Sequence, residues 1–348
     1  LNQRLRTNGV RKTRVRISDI AEKCNLSIST VSIVLRNKPG IPVETRQRVL
    51  QAAEELGYPL RARSPLHEGR ITNQQVGVLM KSMPLPNVFY SDVLAGIDAA
   101  CNQYHLNLMF TSINCDNKGV PMEMPRMLQQ NDCDGYLMLG TYLDEGFEQV
   151  RSSLAGPIVL VDGYSHNAAC DSVVIRNVEG AYQATTHLID HGHRHIAIAG
   201  SMVEGFPGIV ERRMGFLKAM QDHDLPALYF ADSALEPYTA VDPLEEMLVQ
   251  NPQITAVYAC TDEIAMKAIE VANRLGRRVP EDISVAGFDD IAWSSRSRPA
   301  LTTMHIDRFH MGHLAIVVLL NRLQYREAAE VTVSIHPQLI ERESVAGI

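Results

Sequence analysis

The chain has 348 residues, of which 45% are hydrophobic and 21% charged, with a net charge of −7 at pH 7. That is long enough for two or three domains with ample cores. No run approaches the roughly 18 apolar residues of a membrane span, and the Arg-rich start lacks the apolar core of a secretory signal. Six scattered cysteines with no CxxC pair speak against a zinc ribbon or a dithiol redox site and suit reduced thiols in a cytoplasm.

Charge is spread unevenly. Residues 1–70 hold 14 Lys/Arg against 6 Asp/Glu, and the remainder holds 19 against 34, balances of +8 and −15. A basic head on an acidic body points to a polyanion partner for the head alone. Residues 1–15, LNQRLRTNGVRKTRV, form a basic arm, either laid along phosphates or a minor groove or left as a solvated tail.

Three helices follow within residues 16–58. In RISDIAEKCNL, Ile17, Ile20, Ala21 and Cys24 fall on one helical face, with Ser18 as a candidate cap. Asn25-Leu26-Ser27 makes a short turn, and Ser27 is placed to cap a second helix running toward Asn37. Val31, Val34 and Leu35 supply its apolar stripe, leaving Ile28, Ser29, Ser32, Ile33 and Arg36 outward. A third helix spans about Val43 to Leu56, with Val49, Leu50, Ala53 and Leu56 inward. Two short helices across a tight turn make a helix-turn-helix, whose second helix enters the major groove. The alternative is a three-helix protein-interaction domain, and the local positive charge favours DNA.

Residues 59–74 read as a linker, Arg-rich and broken by Pro59, Pro65 and Gly69. From residue 75 the texture becomes βαβ. Strands are expected at Val76–Met80, Leu106–Phe110, Gly135–Leu139, Pro157–Asp162, His195–Gly200, Ala256–Cys260 and Ile283–Asp289. Helices are expected around Tyr90–Tyr104, Pro125–Gln130, Gly180–His191, Glu211–Asp222, Pro243–Asn251 and Asp262–Leu275. This alternation implies parallel sheets with ligands at the strands' carboxyl ends. GxGxxG and Walker sequences are both missing, so nucleotide-enzyme readings lack their phosphate cradle.

DIAEKCNLSISTVSIVLRN, ETRQRVLQAAEELGY, GAYQATTHLIDHGHRHIAIAG, ERRMGF, YACTDEIAMKAIEVANRLGRRVPEDISVAGFDD, PALTTMHID and PQLIERES, in this order, resemble the lactose/galactose repressor family of bacterial transcription regulators across nearly the whole chain. The resemblance implies an all-α helix-turn-helix head plus an α/β two-lobed body like periplasmic sugar-binding proteins, with parallel sheets. The lobes are expected at roughly 75–175 plus 305–328 and 176–304 plus 329–348. It also implies a cytoplasmic homodimer on a pseudo-palindromic operator, with no cofactor and no catalysis. Dimer and tetramer both remain open.

By position in the family's motifs, Ile28 and Ser29 stand where specificity residues approach bases, and Ser27, Ser32 and Thr45 where phosphates or base edges are touched. Ile17, Thr30, Ile33, Arg36 and Leu66 complete the candidate DNA-binding set. Ile33 departs from the usual Arg and cannot make the bidentate contact to guanine worth ~1–3 kcal/mol. Arg36 replaces the usual Asn, and Pro42 replaces a residue often Ser, removing a side-chain cap. Leu66 aligns with a Leu that wedges into the minor groove from a hinge helix. Leu60 and Arg63 replace the usual Asn and Ala, and a helix containing Pro65 would have to start near Ser64 with the proline at its first position.

The resemblance places a small-molecule effector, often a sugar, between the lobes. Arg212 in ERRMGF aligns with an effector-binding Arg and Asp289 with an acidic partner; Asp162 ends a strand of the opposite lobe. Phe89 and Tyr90 offer a flat wall, and Thr261 replaces a frequent Asn. Guanidinium and carboxylates offer several fixed hydrogen-bonding directions to sugar hydroxyls. Alternatively the two aspartates cap turns, Phe89 is core and Arg212 an exposed helix start. His187, His191, His193 and His195 suggest a metal cluster, but the run leaves a helix and enters a strand, scattering the imidazoles. Asp289-Asp290 suggests a glycosidase pair, but neighbouring side chains diverge. The expected function is a ligand-responsive regulator, most simply a repressor of uptake or catabolic genes. The competing class is a stand-alone sugar-binding protein, which would need a signal peptide and no helix-turn-helix. Replacing the wedge residue, Leu66→Ala, is expected to weaken operator binding by about tenfold or more in a gel shift, since the unstacked step would lose its support; unchanged affinity would remove the wedge.

Overall fold

The computed structural model describes residues 15–35, 41–56, 58, 71–81, 88–115, 121–124, 132–140, 144–165, 169–203, 206–233 and 237–348. Most of the basic arm, Arg36, the linker positions Leu60, Arg63, Pro65 and Leu66, and the helix expected at 125–130 lie outside them. Two units separate, Leu1–Pro65 and Leu66–Ile348.

In the first unit, α1 (Ile17–Cys24), α2 (Ile28–Leu35) and α3 (Val43–Glu55) enclose a small core. Ile20, Ala21 and Cys24 meet Val31 and Val34 and, from α3, Val49, Ala52 and Ala53. The i, i+3, i+4 spacing places these residues on one face of each helix. Ser18 does not cap α1, contrary to expectation. It lies one residue inside the helix, where its hydroxyl donates to Asp19 at 3.2 Å, and Arg16 takes the cap position with its N–H donating to Asp19 at 2.8 Å. Asn25 ends α1 in the left-handed region at φ +51°, which lets the Leu26 N–H return to Ala21 O at 2.9 Å. Arg48 of α3 donates to the Cys24 carbonyl at 2.8 Å, satisfying an orphan acceptor of the helix end. Ser27 then caps α2, accepting the Thr30 N–H at 3.0 Å. Pro42 precedes α3 and gives it no side-chain cap.

The second unit holds two parallel sheets. Strands β1 (Gln75–Lys81), β2 (Asn107–Ile113), β3 (Gly135–Leu139), β4 (Ile158–Val161) and β5 (Asp171–Ile175) join the late strand β11 (Thr332–Ile335) in the order β11-β5-β4-β3-β1-β2. Helices α4 (Val88–Gln103) and α5 (Asp144–Ser152) come from this stretch. The other sheet is β7-β6-β8-β9, from β6 (Ile196–Ser201), β7 (Tyr229–Asp232), β8 (Ala256–Ala259) and β9 (Ser284–Ala286). Its helices are α6 (Asn177–Asp190), α7 (Pro207–Asp222), α8 (Val241–Gln250) and α9 (Asp262–Arg274). An antiparallel pair, β10 (Thr303–His305) with β12 (Gln338–Ile340), α10 (Arg308–Gln324) and a 3-10 turn at Pro237–Ala240 complete the described elements. Central strands are buried throughout, as parallel sheets covered on both faces require.

Two boundaries are corrected. Residues 329–348 do not belong wholly to the second lobe, because Thr332–Ile335 pairs with β5 of the first sheet. Buried Asp171 holds that edge together, accepting from Arg322 at 2.6 and 2.8 Å and from the Val331 N–H at 2.8 Å. The chain therefore crosses between lobes three times, after β5, after β10 and between β11 and β12. The strand expected at Ile283–Asp289 stops at Ala286, and the following backbone turns to a new partner. Gly287 N–H donates to Thr302 O and Asp289 N–H to Met304 O, both at 2.9 Å. That detour carries Asp289 out of the sheet toward the first lobe.

Where α4 crosses α10, a methyl group at Gly96 would lie 1.9 Å from Phe309 O and one at Gly312 would lie 2.0 Å from Val93 O. Both obstacles are backbone, so no rotamer change relieves them. Gly96→Ala and Gly312→Ala are each expected to lower the urea unfolding free energy by at least about 1–3 kcal/mol, the usual penalty of overpacking; an unchanged midpoint would mean that the helices part freely.

Candidate functional site

In the first unit, the candidate DNA-binding residues gather on the outward side of α2 and at the helix starts. Ile28 and Ser29 are exposed, Ser32 and Ile33 half-buried, opposite buried Val31 and Val34. Ser27 Oγ lies 2.7 Å from Ser29 Oγ and 2.8 Å from Thr30 Oγ1, so these hydroxyls are tied to one another at the helix start. Thr45 sits in the first turn of α3, and Ile17, half-buried, packs against the head's core.

In the body, the candidate effector residues meet where the carboxyl ends of both sheets face one another. Arg212, on α7, is almost fully buried. Its Nε donates to Asn177 Oδ1 at 2.9 Å, its Nη1 to the Cys260 carbonyl at 2.6 Å, and the guanidinium stacks on Phe288 with 3.8 Å to the ring centre. Burial opposes its charge, yet Asp289, Tyr258 and Asp162 together raise its pKa. Asp289 Oδ1 lies 3.1 Å from Arg212 Nη1, an ion-pair distance, but among the described residues that oxygen has no aligned hydrogen-bond donor. Across the interface, Tyr90 on α4 donates to Asp162 Oδ2 at 2.8 Å. Burial pushes the carboxyls of Asp162 and Asp289 each up to about 6, against the pull of Arg212.

These carboxylates share an unusual backbone geometry. Asp162, Asp289 and Asp290 have φ of +60°, +114° and +52°, positions that non-glycine residues rarely take. Strained backbone that persists is held by its surroundings and concentrates at functional sites. Phe89 is half-buried beside the core, edge-on to Tyr90 at 5.0 Å. Thr261 caps α9, its hydroxyl accepting the Ile264 N–H at 3.3 Å.

Several partners were not read from the sequence. Glu211, beside Arg212, accepts from Tyr164 at 2.9 Å, a hydrogen bond from one lobe to the other, and from Asn177 of its own lobe at 3.0 Å. Lys81, ending β1, sits over Phe206 before α7. Arg308 donates to the Asp289 carbonyl and pairs with Asp92 at 2.8 Å. Asp262 is fully buried, accepting from the Ile291 N–H at 2.9 Å, Ser294 at 2.6 Å and Thr303; burial and Asp289 push it up to about 7. The acidic start of α9 in CTDEIA was a usable signal for Asp262. Glu211–Tyr164 and Arg308–Asp92 pair residues far apart in sequence, and no local pattern announces them. The four histidines part company. His187 and His191 face each other at 4.3 Å, His193 joins Thr255 to the C-terminal segment, and His195 reaches Tyr229 at 3.1 Å.

Comparison with known proteins decides the family. Residues 16–59 match the model for bacterial regulatory proteins of the lacI family, and residues 185–345 match a periplasmic binding protein-like domain. The HTH-type transcriptional repressor PurR of Pasteurella multocida is 31% identical over 339 residues, covering 94% of this chain and 98% of that protein. The chain belongs to the lacI family of bacterial regulatory proteins. The PurR of Yersinia pestis (strain Pestoides F) is similar at 32% identity over 337 residues, 95% of this chain and 96% of its own. Among solved structures, the regulator CelR in complex with cellobiose has a TM-score of 0.71 at 24% identity, covering 95% of this chain and all of that one. The lac repressor dimer bound to operator and the anti-inducer ONPF has a TM-score of 0.69 at 22% identity, covering 96% and 100%. These two share the fold. As a lacI-family member the chain is a DNA-binding transcription regulator with a ligand-binding body, and its curated relatives are transcriptional repressors. Among the described residues no helix is long and apolar enough to cross a membrane.

The raised carboxyls give a pH signature. Between about pH 4 and 6 folded Asp289 holds more proton than unfolded Asp289, so its contribution to stability falls as pH rises through that window. Buried His187 and His193 have lowered pKa values and act in the opposite sense. Wild type minus Asp289→Asn, by urea titration of the ligand-free full chain, cancels them. The difference is expected to move against wild type from pH 4 to 6 and then level; a constant difference would contradict the buried-carboxylate assignment.

Proposed function

We propose that this chain is a repressor whose hold on operator DNA is set by a small polyhydroxylated metabolite, a sugar, bound between Tyr90 and Asp162 on one lobe and Arg212 and Asp289 on the other. It acts as a cytoplasmic homodimer, and its target genes serve uptake or catabolism of that metabolite. Two heads on one dimer would match the two half-sites of a pseudo-palindrome, a spacing fixed by the dimer's symmetry.

The observation that carries this reading is the buried Asp289 oxygen facing Arg212 without an aligned donor, paired with a second raised carboxyl at Asp162. A vicinal diol donates to carboxylates and accepts from a guanidinium, so it matches this set group for group. Burial makes an unmatched carboxylate costly, and a ligand hydroxyl would relieve that cost. Phe89 beside Tyr90 supplies the apolar edge that the C–H face of a sugar ring requires. The relatives support repression, since the similar PurR proteins are transcriptional repressors, and solved neighbours of the same fold hold cellobiose and ribose. The Tyr164–Glu211 hydrogen bond would strengthen or break as the lobes change angle.

A thermal-shift screen of sugars and nucleosides identifies the ligand, and calorimetry then tests its seat. Arg212→Ala is expected to abolish the heat of binding while operator affinity without ligand stays within about twofold, because Arg212 lies in the body and not in the reading head. Tyr90→Phe, which leaves the packing in place and removes the hydroxyl that orients Asp162 and borders the ligand, is expected to weaken ligand by about tenfold. Unchanged heat in both variants would exclude this seat, and a screen answered by nucleosides and no sugar would exclude the sugar class.

A further inference from the structure

The outward face of α2 carries two isoleucines and no charge where base edges would be read. At ~100° per residue, Ile28, Ser32, Ser29 and Ile33 occupy an arc of about 140° opposite Val31 and Val34. The two isoleucines stand at its flanks with the small serines between them. Ile28 is 58% exposed, which for a residue of the head's shortest helices leaves most of its side chain open to a partner. No charged residue occurs from Ser27 to Leu35. The hydroxyls of Ser27, Ser29 and Thr30 are hydrogen-bonded among themselves at the helix start, as described above. The strongest directional readers, Arg to guanine and Asn or Gln to adenine, are missing from this stretch.

The occupant is fixed by charge. The head carries +8 over residues 1–70, which suits a polyanion and not an apolar protein surface. Within the major groove of DNA one base-pair edge alone presents an apolar group, the 5-methyl of thymine. The small serines allow the helix close to the groove floor, and the isoleucines are the groups then brought against the bases. We infer that Ile28 and Ile33 read the operator by apolar contact with thymine 5-methyl groups, so that the preferred half-site carries a T·A or A·T pair beneath each isoleucine. This rests on the family's DNA-binding activity. Affinity comes from the basic residues on the phosphates, and discrimination comes from the methyl groups.

The test uses the full chain and an operator selected from random duplex DNA. Each thymine of the half-site is replaced in turn by deoxyuridine, which removes the methyl and leaves base pairing intact. Two positions are expected to lose about fourfold in affinity each, the equivalent of ~0.8 kcal/mol for one buried methyl-sized group. At one of them Ile28→Ala should abolish the sensitivity, and at the other Ile33→Ala. Placing 5-methylcytosine at either position should recover affinity over unmodified cytosine. Ile28 is exposed, so its variant keeps the head folded, as a circular dichroism melt would verify. A selected operator indifferent to deoxyuridine at every position, or equally sensitive with both alanine variants, would overturn the inference while leaving operator binding intact. Selection that returns no preferred duplex would remove operator reading and this inference together.

Discussion

A buried guanidinium between carboxylates governs the body of this protein. Arg212 has exchanged water for Asn177, a backbone carbonyl, an aromatic face and Asp289, and its surroundings are polar enough to keep it charged. Two carboxylates beside it are held less comfortably, with burial pushing both up to about 6. Desolvation commonly exceeds the attraction gained in such clusters, so their presence is weak evidence of stabilisation. A receptor gains from it all the same. Buried carboxylates held at a desolvation cost gain from any further donor brought to them, so the lobe arrangement can depend on what binds between.

The fold delivers these groups from separate places in the chain. Parallel sheets present their carboxyl ends to one interface, and the early departure of the backbone after β9 carries Asp289 there. Three crossings bind the lobes together, and the close α4–α10 packing at Gly96 and Gly312 makes the returning helix part of the first lobe. The hydrogen bond from Tyr164 to Glu211 and that from Arg308, anchored in its own lobe by Asp92, to the Asp289 carbonyl add cross-links that any change in lobe angle must respect. A ligand shifts such an equilibrium only by its differential affinity for the two arrangements.

Much of this was legible in the sequence, for reasons that differ by element. The head's helices follow from apolar spacing and from Ser27, whose capping role needs only the next three residues. Gly135–Leu139 reads as a buried strand because its hydrophobic run is bounded and short. The cap of α1 is not the expected Ser18, because the extended backbone at Arg16, whose N–H the Asp19 carboxylate accepts, starts the helix two residues earlier. Thr332–Ile335 was assigned to the wrong lobe because its partner, β5, lies far upstream, and strand pairing across that distance leaves no periodic trace. Arg212 and Asp289 stand out through family motifs, Asp162 as a carboxylate at a strand end and Tyr90 as one of two adjacent aromatics. Glu211, Tyr164, Asn177 and Arg308 do not, because their roles exist only once distant elements are brought together.

The central claim is that the reading head and the ligand site are energetically coupled. Linkage requires that the factor by which ligand changes operator affinity equal the factor by which operator changes ligand affinity. The decisive measurement is a pair of titrations on one preparation: operator affinity by fluorescence anisotropy with and without saturating ligand, and ligand affinity by calorimetry with and without saturating operator. The account predicts equal factors of about 5–150 in both directions. A ligand that binds with the same affinity whether or not operator is present would contradict it.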